Sequence, residues 1–218
     1  MFTYCKELEY IENINNLHTE NTTNMGAMFH VCNNLIELDV SNFDTSKVTD
    51  MSNMFVACSK LTKLNVSNFD TSNVTKMNAM FDQCKKVADI DVSSFDTHNV
   101  TNMSTMFRYC ISELDVSNFN TKNVTDMSAM FHASNITKLD ITNFDTSNVT
   151  NMSNMFSACT KLKLLNTSKL FIIKEGTNYT SVVGRNANNI LITATENIAE
   201  KFKEADSNLT NTNFKFIY

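Results

Sequence analysis

Proline is absent from the 218 residues and glycine occurs only three times, so the chain must turn without the two residues that most readily allow it. Asn, Asp, Ser and Thr, which hydrogen-bond to neighbouring backbone, are abundant and have to take that part. No apolar run approaches the roughly 20 residues that cross a bilayer, which predicts a soluble chain with no membrane span. The N-terminus also lacks the charged-then-apolar pattern of a signal peptide. A basic stripe is missing: 18 Lys and Arg are scattered among 23 Asp and Glu, for a net charge of −5 and a pI near 5.3. Phosphate neutralisation, and with it nucleic acid, is excluded. Nor is there a G-x-S-x-G, a P-loop, an H-E-x-x-H or an isolated Cys with a His partner. The carboxylates recur in nearly every unit, whereas an active site needs one asymmetric constellation, so no enzyme and no cofactor are expected.

What is present is a repeat. With 42% apolar and 19% charged residues the chain can build a continuous core. Met-Phe pairs begin at residues 1, 28, 54, 80, 106, 130 and 155, spacings of 27, 26, 26, 26, 24 and 25. One unit, Leu61 to Cys84, reads LTKLNVSNFDTSNVTKMNAMFDQC. Leu64 and Val66 alternate with Lys63, Asn65 and Ser67, the period-two pattern of a short strand with one buried face. Val74, Met77, Met80, Phe81 and Cys84 recur every three or four residues, which predicts a short helix or helical turn. The turn between carries Phe69 inward, and any of Asp70, Thr71, Ser72 or Thr75 could cap the helical segment.

The fold class that follows is an α/β right-handed solenoid resembling leucine-rich repeats. Each unit of about 25 residues contributes one short parallel strand and one short helical segment. Length changes fall at the return to the strand: Cys58 precedes Leu64 by six residues, Cys110 precedes Leu114 by four and Ser134 precedes Leu139 by five. The first unit is the least regular, with Ile11, Ile14 and Leu17 placed as if one residue were inserted. Residues 1–166 read as the repeat domain, entered in mid-unit at Met1-Phe2 as though the array were cut there. Residues 167–218 read as a divergent C-terminal cap, with strands at Leu170 to Ile173, Ser181 to Val183, Ile190 to Thr193 and Phe214 to Tyr218, and a helix over Glu196 to Ala205.

Stacking turns each motif position into a column. Cys32, Cys58, Cys84, Cys110 and Cys159, with Ser134 interrupting, point in parallel, so a buried thiol column is expected rather than disulfides or zinc. Asp44, Asp70, Asp96 and Asp145, with Asn120 interrupting, are read as turn-making acceptors; a column of bound cations is the alternative. The Phe43, Phe69, Phe95, Phe119 and Phe144 column and the Met-Phe column are core. His30 and His132 are read as surface residues. On the strand, Asp39, Asn65, Asp91, Asp115 and Asp140 form one exposed column. Glu37, Lys63, Asp89, Glu113 and Lys138 form another that varies in sign, which is how a rigid repeat scaffold builds a binding surface.

The run Leu-Asp-Val-Ser-Asn-Phe-Asp-Thr-Ser-x-Val-Thr-x-Met-Ser-x-Met-Phe-x-x-Cys, at Leu38 to Cys58, resembles the repeat of BspA-like leucine-rich-repeat surface proteins over about residues 5–166. That resemblance implies cell-surface or lipoprotein-linked, extracellular display and a part in adhesion to host or matrix proteins. It implies no activity and no defined site residues. The expectation is a surface-displayed module that binds a protein or glycan through the ten strand-face residues. The alternative is a cation-stabilised spacer or stalk with no specific ligand. Partner identity and oligomeric state are not encoded in any recognisable motif.

Overall fold

The computed structural model describes residues 1–87, 89–110, 113–184 and 190–218. Its regular elements are β1 (Glu37–Leu38), β2 (Lys63–Leu64), β3 (Lys138–Asp140), β4 (Leu164–Asn166), β5 (Leu191–Ala194), α1 (Glu196–Ala205) and β6 (Phe214–Phe216). All strand pairing is parallel, in a two-stranded sheet β1-β2 and a four-stranded sheet β3-β4-β5-β6. Register follows the repeat: Leu38 lies beside Leu64, and Leu139 beside Leu165, then Ile192. β3 buries only its central residue, Leu139, in an exposed-buried-exposed pattern.

Among the described residues no strand pairing is assigned between Leu64 and Lys138. Leu114, which occupies the slot of Leu64 and Leu139, is only half-buried, whereas those two are buried.

The helical segment expected in every unit is not there; α1, outside the repeats, is the one α-helix among the described residues. The Val74 to Cys84 stretch is instead a series of tandem turns, closed by Met80 N–H to Met77 C=O, Asp82 to Ala79 and Cys84 to Phe81, each at 3.2 Å. Ala79 and Gln83 adopt left-handed φ of 56° and 61°, and the equivalent pairs Asn53 and Ala57, Thr105 and Tyr109, and Ala129 and Ala133 do the same. Tandem turns keep Met77, Met80, Phe81 and Cys84 on one side, all fully buried, so they mimic the helical spacing. They also free alternate N–H groups, which a helix would bond internally. Met77, Ala79, Phe81 and Gln83 donate to the carbonyls of Asn102, Ser104, Met106 and Arg108 in the next repeat at 3.1, 2.8, 3.0 and 2.8 Å. Inter-repeat bonding on this wall outweighs the strain of two left-handed residues per unit, about 1–2 kcal/mol each.

The two walls enclose the core. Phe2, Phe29, Phe55, Phe81, Phe107, Phe131 and Phe156 stack face to face with centroids 5.5–5.9 Å apart and planes within 12°. A single line of parallel bridges, Asn24–Asp50–Lys76–Asn102–Asp126–Asn151–Asn178, marks the turn wall. The bonding continues past Asn166: Asn178, Thr180, Val182 and Gly184 accept from Met152, Asn154, Phe156 and Ala158. Leu170 to Ile173 and Ser181 to Val183 are loop and turn rather than strands. α1 is N-capped by Thr195, whose side chain accepts from Ile198 N–H. Its Phe202 meets Phe171 edge-on at 6.0 Å, which ends the aromatic stack.

Candidate functional site

All ten strand-face residues are exposed, and the alternation with buried Leu, Ile and Val places them together on one side. The structure separates them into two kinds. In the inner column, one side-chain oxygen accepts the backbone N–H two residues on: Asp39 from Ser41 at 3.0 Å, Asn65 from Ser67 at 3.0 Å, Asp91 from Ser93 at 3.0 Å, Asp115 from Ser117 at 2.9 Å and Asp140 from Thr142 at 3.0 Å. These residues turn the chain out of the strand. The Ser41 hydroxyl and N–H hold the Asp39 carboxyl below the usual range, as the Ser93 pair does for Asp91. For Asp115 the backbone N–H of Ser117 is the leading cause.

The outer column makes no such turn. Glu37 and Lys63 lie side by side in register with Oε1 to Nζ at 3.5 Å, an exposed pair worth ~0–1 kcal/mol. Asp89 and Glu113 lie in the stretch without assigned strand pairing, and Lys138 is the first residue of β3. Two clefts open there. One of about 270 Å³ is lined by Asp89, Asp91, Ser93, Asp115, Ser117 and Asn118 among others, and one of about 390 Å³ by Asp89, Glu113, Leu114, Asp115, Thr137 and Lys138. Both include Asp89 and Asp115, so the face is concave and acidic at this point.

The turn column behaves as the inner column does. Asp44, Asp70, Asp96, Asn120 and Asp145 accept from the N–H of Ser46, Ser72, His98, Lys122 and Ser147 at 2.9–3.2 Å. A third column escaped the sequence reading: Asn24, Asp50, Asn102, Asp126, Asn151 and Asn178 accept from residues 26, 52, 104, 128, 153 and 180 at 2.7–3.2 Å. The signal was the Asx-x-Ser/Thr/Gly spacing, which the inner column shares throughout and the turn column at Asp44, Asp70 and Asp145, masked by how common Asn and Ser are. Buried Thr45, Thr71, Thr97 and Thr121 add hydroxyl bonds to the carbonyls of Asp70, Asp96, Asn120 and Asp145. Among the described residues no group of three or more His, Cys, Asp or Glu could hold a metal.

The six thiols form no disulfide and, Cys5 apart, are buried. Cys58 and Cys84 donate to the Phe29 and Phe55 carbonyls of the preceding repeat at 3.2 Å. Burial pushes the Cys58 thiol up to about 12, and the neighbouring Cys110 thiol together with burial raises Cys84. Such thiols are protonated and poor nucleophiles or ligands.

One asymmetric polar cluster interrupts the uniformity, on the turn wall. Asp82 is buried and takes a two-pronged bond from Arg108; the Arg108 guanidinium lies 5.8 Å from the Tyr109 ring, which meets His132 edge-on at 5.5 Å. His132 is half-buried rather than a surface residue, with Nδ1 buried and unpartnered. Burial, then the charge of Arg108, lowers its pKa. His30 is half-buried as well, 5.2 Å from the Tyr4 ring.

The family model described as Mycoplasma protein of unknown function, DUF285, matches residues 1–112, 81–187 and 111–213 in three overlapping registers. No curated protein matches the chain. The chain therefore belongs to this repeat family, and the match runs through the region beyond Asn166 as well as the regular units.

Proposed function

We propose that this chain is a surface-displayed binding module without enzymatic activity: a right-handed, leucine-rich-repeat-like solenoid of the BspA-like kind, engaging a protein or glycan of the host or its matrix. The repeat domain at 1–166 carries the binding face and residues 167–218 close its end. One observation supports this most: Glu37, Lys63, Asp89, Glu113 and Lys138 are exposed, in line, and not used by the turns that absorb the inner column. Residues without a local structural task that vary in charge on a rigid face are suited to recognition. The clefts beside Asp89 and Glu113 make that stretch the centre of the face, and its acidity suits a basic segment or an amino-bearing glycan.

The test is an array of matrix proteins and glycans probed with the chain and with a Glu37→Lys, Asp89→Lys, Glu113→Lys, Lys138→Glu variant. Saturable binding abolished in the variant supports the face; binding that the variant leaves unchanged rejects it.

A spacer or stalk is the second reading, favoured by the three Asx columns, whose carboxylates are engaged in holding turns. Its cation-stabilised form requires the thermal midpoint to rise in millimolar calcium and fall with chelator. An unmoved midpoint removes it.

A further inference from the structure

The two wall positions after each Met-Phe pair need only small or uncharged residues, such as Val56 and Ala57 or Ser157 and Ala158. One step of the stack departs from this. Arg108 and Tyr109 fill the two positions there, between Asp82 and Gln83 of the preceding repeat and His132 of the following one. The fold does not call for a tyrosine: residue 109 has a left-handed φ of 53°, and Ala57, Ala133 and Ala158 hold the equivalent position at 58°, 53° and 60°. Tyr109 is nonetheless 42% exposed, a large aromatic ring that contributes little to the core.

Its neighbours fix the ring and charge its surroundings. The Arg108 guanidinium carbon lies 5.8 Å and Lys85 Nζ 6.0 Å from the ring centroid, each near the outer limit of cation–π contact. Arg108 reaches back to Asp82, and Lys85 belongs to that same preceding repeat, so both cations approach the ring from one side while His132 meets it edge-on from the other. Their charges are not cancelled. Asp82 engages only Nε and Nη2 of Arg108, and among the described residues no carboxylate pairs with Lys85. Lys60 and Lys86 are also exposed at this corner, and residues 57–62 and 83–87 contain no Asp or Glu. On a chain of net charge −5, this is a local excess of positive charge beside an exposed ring.

We propose that Tyr109, Lys85 and Arg108 form a binding site for an acidic sugar unit of an oligosaccharide, with the sugar stacked on the Tyr109 ring and its carboxylate or sulfate against Lys85 and the remaining guanidinium nitrogen. Charge complementarity selects the anion. The open ring selects the sugar, whose flat C–H-lined face packs on an aromatic without a groove. An acidic peptide finds no seat for its flanking apolar side chains, because the residues beside Tyr109 in its column are Gln83 and Ala133. The site lies on the turn wall and is independent of the binding proposed for the strand face.

The test is calorimetric titration of the 218-residue chain with three hexasaccharides: hyaluronan, which carries carboxylates, chondroitin sulfate, which adds sulfates, and uncharged maltohexaose. Saturable binding of one or both acidic sugars and none of maltohexaose is expected, and the preference between the two identifies the anion. Tyr109→Ala, which installs the residue other repeats carry, and Lys85→Ala should each weaken binding about fivefold or more. Lys63→Ala removes the same charge from the strand face and should leave binding unchanged. An unshifted thermal midpoint for Tyr109→Ala shows that its loss of binding is not a loss of fold. Failure of both acidic sugars to bind, equal binding of maltohexaose, unchanged binding in the Tyr109 and Lys85 variants, or an equal loss in Lys63→Ala each overturns the proposal.

Discussion

Arg108 grips the carboxylate of Asp82 from the following repeat, Nε to Oδ1 at 3.0 Å and Nη2 to Oδ2 at 2.5 Å, with Asp82 buried and Arg108 one-third exposed. Hydrogen bonding to Asp82 raises the Arg108 pKa, in keeping with a paired charge. Because Val56 fills the same wall position two repeats' distance from Arg108, the position does not require polarity. Arg108→Ala should cost roughly 2–4 kcal/mol in urea unfolding, since it leaves a buried carboxylate unpaired. Asp82→Val combined with Arg108→Val should recover most of that loss. A double variant as unstable as the single one would mean that the pair itself, not the stranded charge, carries the stability.

Ala79 separates the two conformations of its segment. At φ of 56° an alanine is strained, so Ala79→Gly should leave stability unchanged or raise it by up to about 1 kcal/mol. In a helix the same change lowers stability by about 1 kcal/mol. Val31, β-branched and at φ of 61°, should gain more from glycine than Ala79 does. Chemical denaturation midpoints of the two variants decide between the geometries.

The two strand-face columns should respond oppositely to mutation. Asp140 accepts from Thr142 N–H, Thr142 Oγ1 and Asn166 Nδ2, so Asp140→Ala should cost about 1 kcal/mol while Asp140→Asn costs less. Glu113→Ala should fall within about ±0.5 kcal/mol of the parent. Thermal melts of the three variants check this without any knowledge of a ligand.

Acid should weaken the fold in two stages. His132 has its pKa lowered, so its contribution is full above the unfolded value of about 6.5 and declines as pH falls through the folded value. Asp39, Asp96, Asp115 and Asp145, lowered by hydrogen bonds to the residues two positions on, contribute fully above about pH 3.9, and that contribution is lost as pH falls further. Melting midpoints measured from neutral to acid should show a shallow fall beginning below about pH 6.5 and a steep one near pH 4. His132→Gln should remove the first stage alone.

The thiols offer a check on the core. Cys5 is half-buried and the other five cysteines are buried, so an aromatic disulfide reagent at neutral pH should titrate one thiol in the native chain and the remainder only in denaturant. Rapid reaction of several thiols in the folded chain would contradict the stacked core.

The buried set was legible in the sequence because burial depends on spacing: Leu64, Val66, Phe69, Met77, Met80, Phe81 and Cys84 are all buried. The backbone joining them was not. Spacings of three and four satisfy both a helix and a run of tandem turns, and the choice depends on where alternate N–H groups find acceptors, which lie about 25 residues away. The helix at Glu196 to Ala205 was legible because its amphipathic stripe comes with a local capping residue, Thr195. In the candidate site, the exposure of all ten residues followed from alternation, but the division between turn-making Asp91 and uncommitted Asp89 required seeing the bond to Ser93.

The sequence by itself determined the repeat, its register, the identity of the core columns and the face left outside, because these are fixed by periodicity and by the transfer of apolar side chains out of water. Tertiary structure alone decided that the second wall is turns rather than helices and that Asp82, Arg108, Tyr109 and His132 meet. Each of those outcomes rests on hydrogen bonds or contacts between one repeat and the next, and a local pattern carries no record of a partner 25 residues distant until the repeats are stacked.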